Sequence, residues 1–243
     1  VPEDRLLPTL DPRRRVRAMG TIQHDDLHIF LREEILREII IYSKSNTSRE
    51  LGGVLIGDFY KWKTTYWIEI VGYVKAVRYE NTSASFKFTL DTQEQIQRDK
   101  EKRFNDKPIV GWQHTHPHYG IFLSGYDQFI HNNFFSQPWH VALVVDPCAD
   151  TMGFFQTKRS RIVACGSTST SSGFSRRTRA QKAWMVDICA PRSSARTRSQ
   201  RRRSASGANP ISRATSSRIF FRISAAALSV KVIARISPTA STG

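Results

Sequence analysis

The chain has 243 residues, 40% of them hydrophobic, and a formal net charge of +16. Its length allows one substantial core with further segments attached, and no apolar run is long enough to span a bilayer. The three widely spaced cysteines form no CxxC pair and no signal-peptide pattern opens the sequence, which disfavours a disulfide framework and predicts a cytoplasmic protein without membrane association.

The first predicted element is a leader or linker over residues 1–19, which contain three prolines and no hydrophobic periodicity. Residues 25–43 then predict one amphipathic helix with a buried face, because apolar residues recur every four positions. These residues are Leu27, Leu31, Ile35 and Ile39. Asp25 and Asp26 suit the N-terminal end of such a helix, where the helix dipole favours carboxylates.

Residues 20–168 mix predicted strands with predicted helices, which favours one α/β (α+β) domain. The strands expected in chain order are 51–60, 65–77, 86–90, 108–117 and 140–147, followed by a last strand or hairpin over 152–165. The helices expected between them are 91–106, which is polar and predicted to be largely solvated, and 124–135, which begins behind a serine.

Residues 169–243 form a basic tail whose composition differs from that of the preceding domain. From Ser175 to the end there are 13 Arg and 2 Lys against one acid, Asp187, whereas the first 174 residues carry a net charge of only +2. The tail is rich in Arg and Ser with little periodicity, which is typical of disorder. Two other interpretations stay open: nucleic-acid binding through arginine clusters such as 175–179, and translation in a wrong reading frame.

The candidate site lies in the segment GWQHTHPHYGIFLSGYD, residues 111–127. Side chains two residues apart on a strand point the same way, so His114 and His116 would present two imidazoles on one face. Ser124 is placed to cap the next helix, and Asp127 would lie in its first turn as an ionised carboxylate. Two histidines and one aspartate leave a fourth position for water, as in catalytic zinc sites. The alternative is a pair of unrelated strand histidines followed by an ordinary capping pattern.

Other residues near this segment have plainer interpretations. Trp112 is predicted to pack in the core behind the two histidines. His118 is not expected to be a ligand, because Pro117 breaks the alternation of the strand. His131 is expected to pack or to face solvent, with a position facing the site as the alternative, and His140 is expected to be structural.

The segment resembles the signature of the MPN+/JAMM (Mov34/JAB) zinc metalloproteases, and of their deubiquitinating isopeptidase branch in particular. It has the Gly-Trp before the histidines, the Thr between them, the Pro after them and the Leu-Ser-x-x-Asp downstream. The resemblance implies that His114, His116 and Asp127 bind one Zn²⁺ per chain. It also implies that Ser124 assists the reacting carbonyl group.

The resemblance further implies a general base upstream of the site. In this family a glutamate stands just before a glycine-rich apolar strand, and Glu50 stands before Gly52 and Gly53 in that way. A carboxylate there would take a proton from water and pass it to the leaving amine. The glutamates of the preceding predicted helix are rivals for this role: Glu33, Glu34 and Glu38. Phe122, in the loop between the ligands, is expected to line the substrate groove.

The family fold is a curved mixed sheet flanked by helices, a cytidine-deaminase-like architecture. The resemblance implies that metal-activated water hydrolyses the bond between the C-terminus of a ubiquitin-like modifier and its target. Ubiquitin-like proteins or their conjugates would then be the partners. The alternatives are a peptidase that acts outside ubiquitin pathways, and a catalytically silent scaffold with a nucleic-acid-binding basic tail.

Overall fold

The computed structural model describes residues 2–77, 81–82, 85–86 and 89–172. Contacts divide the chain into two units, Val1–Ala195 and Arg196–Gly243, and every described residue lies in the first. The expectations about the basic tail beyond Ser172 therefore lie outside the described residues. None of the helices in the described part of the chain is long and apolar enough to cross a membrane.

The described residues form strands, three α-helices and one short 3-10 helix over Pro8–Leu10. The strands are β1 (Glu3–Asp4), β2 (Arg14–Met19), β3 (His28–Arg32), β4 (Gly52–Trp62), β5 (Thr65–Lys75), β6 (Asn81–Thr82), β7 (Ser85–Phe86), β8 (Ile109–Thr115), β9 (Val141–Asp146), β10 (Thr151–Lys158), β11 (Arg161–Cys165) and β12 (Ser167–Ser172). The helices are α1 (Glu33–Lys44), α2 (Leu90–Phe104) and α3 (Gly125–Phe134).

Most strands belong to one sheet in the order β11-β10-β9-β8-β4-β5-β3-β12-β2, and β1 pairs with the far end of β4. The pairs β8–β9, β3–β5 and β3–β12 are parallel, and the other pairs along this path are antiparallel. β6 and β7 form a separate hairpin. The predicted α/β class, a mixed sheet flanked by helices, is therefore confirmed.

The central strands bury both of their faces, and successive side chains alternate between the two. On one face, Leu55, Val110, Val141 and Leu143 of the strands cluster with Leu36 and Ile39 of α1. On the other face, Val54, Ile56, Trp112 and Val144 of the strands cluster with Ile96 of α2 and Ile130 of α3. Because Trp112 faces α3, the alternation of β8 brings His114 to the same side.

The helix predicted over 25–43 is wrong in its first part, because His28–Arg32 forms β3 and the helix begins only after it. β3 lies between β5 and β12, and its three central residues are buried. A strand covered on both faces is apolar at successive positions, so its sequence cannot be told from a buried helix segment by periodicity. Asp25 and Asp26 cap no helix and instead form ion pairs with Lys158.

Residues 1–19, expected to be a leader or linker, contain two strands that pair with the sheet, β1 and β2. Arg14–Met19 forms β2, which pairs antiparallel with β12 at the edge of the sheet. Arg14 also donates to the buried carboxylate of Glu69 at 2.6 Å. An edge strand that is mostly exposed has a charged composition, and it therefore lacks the apolar alternation that predicts strands.

The boundary expected between residues 168 and 169 falls inside β12, which continues to Ser172. β12 pairs with both β2 and β3, and its first four side chains are buried. A strand made only of Ser and Thr has the composition of a loop, so its sequence does not predict a strand. Backbone pairing with β2 and β3, rather than an apolar pattern, holds it in place. The strand predicted over 86–90 lies partly outside the described residues, and its last residue, Leu90, begins α2.

Candidate metal centre

The two histidines lie at the end of β8, His114 within the strand and His116 one residue past it, on the side that packs against α3. His114 pairs with Gly52 of β4 in antiparallel register. On the other edge of β8, a side chain at Gly111 would come within 2.2 Å of the Val141 carbonyl oxygen, so only glycine allows β9 to approach so closely. The imidazoles of His114 and His116 are 0% and 3% exposed. The strand holds His114, and a hydrogen bond from the His116 N–H to the Val145 carbonyl holds the next residues, so both rings are buried at fixed positions.

Three potential ligand atoms converge at the end of β8. The Nε2 atoms of His114 and His116 lie 3.0 Å apart. Each of them lies 3.5 Å from a carboxylate oxygen of Asp127. The structure therefore brings together the three residues that the sequence predicted as ligands, and they form a group that could hold a metal ion.

Asp127 is held by a reciprocal capping box at the start of α3. Its backbone N–H donates to Ser124 Oγ at 3.2 Å, and its carboxylate accepts the Ser124 N–H at 2.8 Å. Burial raises the pKa of Asp127, but hydrogen bonds from His114, His116 and Ser124 outweigh it and hold that pKa well below its usual value. The carboxylate is therefore ionised, and its direction is fixed by the helix cap.

Glu50 lies beside His116 because the antiparallel pairing of β4 with β8 continues past the first residue of β4. Thr115 closes this pairing: its hydroxyl accepts the Leu51 N–H at 2.8 Å and its own N–H donates to the Leu51 carbonyl at 2.8 Å. A carboxylate oxygen of Glu50 lies 3.8 Å from Nε2 of His116. The rival glutamates belong to α1, which packs against the opposite face of the sheet.

A cavity of about 200 Å³ opens to solvent beside the cluster. It is lined by Glu50, Ser124 and the two ligand candidates His116 and Asp127, together with three aromatic residues, Tyr119, Phe122 and Tyr126. The Phe122 side chain is partly exposed, and its ring centroid lies 4.7 Å from that of His116. Phe122 therefore forms part of the cavity wall next to a potential ligand, and its role toward a substrate stays a prediction.

Asp146, at the end of β9, anchors the loop that joins the two halves of the cluster. Its carboxylate accepts the backbone N–H groups of His118 at 3.2 Å and Gly120 at 3.0 Å. It also accepts two N–H groups of the turn that follows, from Cys148 and Ala149. Burial raises the pKa of Asp146, but these four hydrogen bonds lower it below the usual value. The sequence analysis gave Asp146 no role, although an aspartate before a proline is a turn signal.

The other residues considered in the sequence lie outside the cluster of potential ligands. Trp112 is fully buried behind the histidines, as expected. His131 is buried on α3 rather than solvated, and it accepts a hydrogen bond from Trp112. His118 is exposed and stands outside the cluster of potential ligands. His140 directly precedes β9.

This fold and this group of residues define a known class of protein domain. Residues 25–137 match the family described as JAB1/Mov34/MPN/PAD-1 ubiquitin protease. This part of the chain therefore belongs to that family, in agreement with the resemblance found in the sequence.

The chain is similar to individual members of this family over part of its length. It is 29% identical over 152 residues to COP9 signalosome complex subunit 5 of Candida albicans, covering 58% of this chain and 24% of that protein. It is 28% identical over 127 residues to the 26S proteasome regulatory subunit RPN11 of Eremothecium gossypii, covering 51% and 40%. A stretch of 41 residues is 51% identical to COP9 signalosome complex subunit 5 of Caenorhabditis elegans, covering 16% and 11%. The chain thus spans less than half the length of each of these relatives.

Proposed function

We propose that this domain is a zinc-dependent isopeptidase that hydrolyses the bond between the C-terminus of a ubiquitin-like modifier and its target. One observation carries the proposal. The three potential ligands His114, His116 and Asp127 converge. Two of them, His116 and Asp127, line a cavity together with Glu50 and Ser124. Family membership and the similarity to a proteasome subunit and a signalosome subunit support it.

Two imidazoles and one carboxylate are donor types that zinc prefers, and their spacing is close to that of ligands that share one ion. With bonds of about 2.0–2.1 Å, two ligands of tetrahedral zinc stand about 3.3 Å apart. The two imidazole Nε2 atoms are 3.0 Å apart, and each lies 3.5 Å from a different oxygen of Asp127, His114 from Oδ1 and His116 from Oδ2. Zinc held there would supply a Lewis acid that activates water and polarises a carbonyl group.

Glu50 is the residue that moves the proton. Its carboxylate, 3.8 Å from Nε2 of His116, stands beside the cluster at the cavity wall. It takes a proton from the attacking water while the water oxygen forms its bond to the carbonyl carbon. The same carboxylate then delivers this proton to the nitrogen of the breaking C–N bond, which leaves as an amine. No covalent bond to the protein is needed.

Ser124 is placed to stabilise the oxygen of the carbonyl under attack. Its Oγ accepts the Asp127 N–H with a lone pair, which leaves the hydroxyl proton for donation into the cavity. A donor preorganised by a helix cap needs little rearrangement when negative charge develops on the carbonyl oxygen.

The shape of the cavity bears on the substrate. Tyr119, Phe122 and Tyr126 line a space of only about 200 Å³, which suits a narrow extended chain better than a bulky side chain. The glycine-rich C-terminal tail of a ubiquitin-like modifier is such a chain, and extended peptides commonly bind along a strand beside a site. Ubiquitin-like conjugates are therefore the proposed partners.

The compartment and the tail also belong to this proposal. Cys148 and Cys165 are free thiols, which agrees with the proposed cytoplasmic location. Nucleic-acid binding by the tail stays a prediction from the sequence, because the tail beyond Ser172 lies outside the described residues.

The metal content of the purified 243-residue chain tests the first step of the proposal. We expect about one zinc per chain, as for a three-ligand site. Asp127→Ala should lose it, whereas Asp91→Ala should keep it, because Asp91 also lies in the first turn of a helix but outside the cluster. A wild-type chain that stays metal-free after reconstitution would overturn the proposal in favour of a silent scaffold.

Glu50→Gln tests the acid–base step. We expect this variant to keep its zinc and to lose turnover of a ubiquitin-like isopeptide conjugate by at least about 100-fold, because general acid–base catalysis supplies that much. Glu34→Gln, on the opposite face of the sheet, is the matched control and should remain active. Full activity in Glu50→Gln would remove Glu50 from the mechanism. Cleavage of plain peptides but of no ubiquitin-like conjugate would favour a peptidase outside ubiquitin pathways.

A further inference from the structure

The ring of His114 is oriented by stacking rather than by a hydrogen bond to its second nitrogen. It lies parallel to the indole of Trp112, with centroids 4.5 Å apart and 10° between the planes. Its buried Nδ1 has no hydrogen-bond partner among the described residues. Metal-binding histidines usually donate this second N–H to a carbonyl or carboxylate, which fixes their orientation. In this site the plane of Trp112 must perform that task.

The plane of Trp112 is fixed in turn by two contacts. Its indole Nε1–H donates to Nδ1 of His131 at 3.2 Å, with both side chains almost fully buried. It also stacks with Phe135, at 5.7 Å and 14°. Stacking alone allows a ring to slide and rotate in its plane, whereas the hydrogen bond defines one direction.

His131 must be neutral to accept this hydrogen bond, with its proton on Nε2. Burial, assisted by the nearby His140, lowers the pKa of His131 to about 4. The acceptor form is therefore present throughout the neutral range. The other ring nitrogen of His131, Nε2, is also buried and has no hydrogen-bond partner among the described residues. Within the described part of the chain, the bond from Trp112 is therefore the one side-chain hydrogen bond of this imidazole.

The bond from Trp112 to His131 also joins the two elements that carry the potential ligands. Trp112 lies two residues before His114 on β8, and His131 lies one helical turn after Asp127 on α3. A hydrogen bond between them fixes the distance between strand and helix close to the point where the donor atoms must converge.

We propose that His131 is a positioning residue of the metal centre, which acts through Trp112 to orient His114 and to hold α3 against β8. The inference rests on the proposed metal site, but it assigns a role to a residue outside the signature segment. Loss of this contact should weaken metal binding without removing a ligand.

The test compares His131→Leu with His131→Asn in the 243-residue chain. We expect His131→Leu to weaken zinc binding about 10-fold or more, the usual effect of losing an outer-shell partner, measured by competition with a chelator. An asparagine amide oxygen lies close to the position of a histidine Nδ1, so His131→Asn should recover most of the affinity. The absorption spectrum of the Co²⁺-substituted protein should change in the leucine variant and return in the asparagine variant. Equal losses in both variants would reduce His131 to a packing residue and overturn the proposal.

A second variant keeps the proposal testable if His131→Leu fails to fold. Trp112→Phe preserves a stacking ring but removes the N–H donor, and it should weaken metal binding to a similar degree. The double variant should then be no worse than either single one, because the two residues act through one bond. A wild-type chain that binds neither Zn²⁺ nor Co²⁺ would overturn the proposed function. Metal binding by the wild type with unchanged affinity in Trp112→Phe would overturn this inference alone.

Discussion

His118 has a backbone φ of 68°, in the left-handed region that favours glycine. It directly follows Pro117 in the loop behind the potential ligand His116, and its N–H is held by Asp146. A residue with a Cβ pays about 1 kcal/mol for this conformation, although histidine tolerates it better than most. The loop is therefore kept in a strained shape by its anchor.

Substitution of His118 should reveal this strain. We expect His118→Gly to raise the free energy of unfolding by about 0.5–1 kcal/mol, because glycine adopts a positive φ without steric cost. His118→Ala is the control, since it removes the same imidazole but keeps the Cβ. Urea denaturation of the metal-free chain measures both. An equal gain in the two variants would show that the imidazole, and not the backbone, causes the effect.

At the scale of elements, two helices begin with the same kind of cap but only one cap belongs to the proposed mechanism. Thr89 Oγ1 accepts the Thr92 N–H at the start of α2, and Ser124 Oγ accepts the Asp127 N–H at the start of α3. Each cap should contribute about 1 kcal/mol to stability. The two residues are therefore matched structurally and differ in the role proposed for them.

This difference gives a paired experiment. We expect Thr89→Ala and Ser124→Ala to lower the free energy of unfolding by similar amounts, about 1 kcal/mol each. Only Ser124→Ala should lose turnover, by about 100-fold, which is the usual effect of removing one oxyanion donor. Denaturation curves and steady-state rates at saturating zinc measure the two effects. Normal turnover in Ser124→Ala would leave that serine with a capping role alone.

The sequence predicted the elements whose signals are local. β8, α3 and β9 follow from alternation, a serine cap and a short apolar run, and the positions of His114 and Asp127 follow from these. β3 was assigned to the helix because burial on both faces removes its alternation. β12 consists of hydroxyl side chains, and pairing with distant strands holds it in place. Such pairings join residues far apart in the sequence, and no local pattern reports them.

At the scale of the whole molecule, the chain before residue 20 completes the sheet. β2 covers the open edge of β12, and Arg14 pairs with Glu69, whose carboxylate is 1% exposed. Burial raises the pKa of Glu69, but Arg14 and Arg32 outweigh it and keep the carboxyl ionised. Without β2, the half-buried Arg32 would be the one ion-pair partner left to this buried charge among the described residues.

Removal of residues 1–19 should therefore destabilise the domain. We expect the chain 20–243 to lose about 3 kcal/mol or more of unfolding free energy, because breaking a buried ion pair leaves an uncompensated charge. Arg14→Met should account for part of this loss. Arg13→Met is the matched control and should have almost no effect, because Arg13 is largely exposed and pairs only with Asp11. Identical denaturation midpoints for the full and shortened chains would contradict the role given to β2.

The candidate site was only partly predictable from the sequence, because some of its contacts depend on pairing between elements far apart in the chain. The spacing of His114, His116, Ser124 and Asp127 is local, so strand and cap geometry were enough to predict that their side chains could meet. The position of Glu50 depends on how β4 pairs with β8, and only the family resemblance pointed to it. The contact between Trp112 and His131 joins a strand to a helix, and no local sequence pattern predicts that these two side chains meet.

The four N–H groups that donate to Asp146 have a consequence for how a related chain could lose its proposed activity in evolution. A substitution at residue 146 would leave every letter of the segment 111–127 unchanged, yet the loop between the two halves of the signature would lose its anchor. A gene copy could thus keep a complete signature and still encode an inert protein. Any survey that separates working copies from decayed ones should compare residue 146 together with the signature.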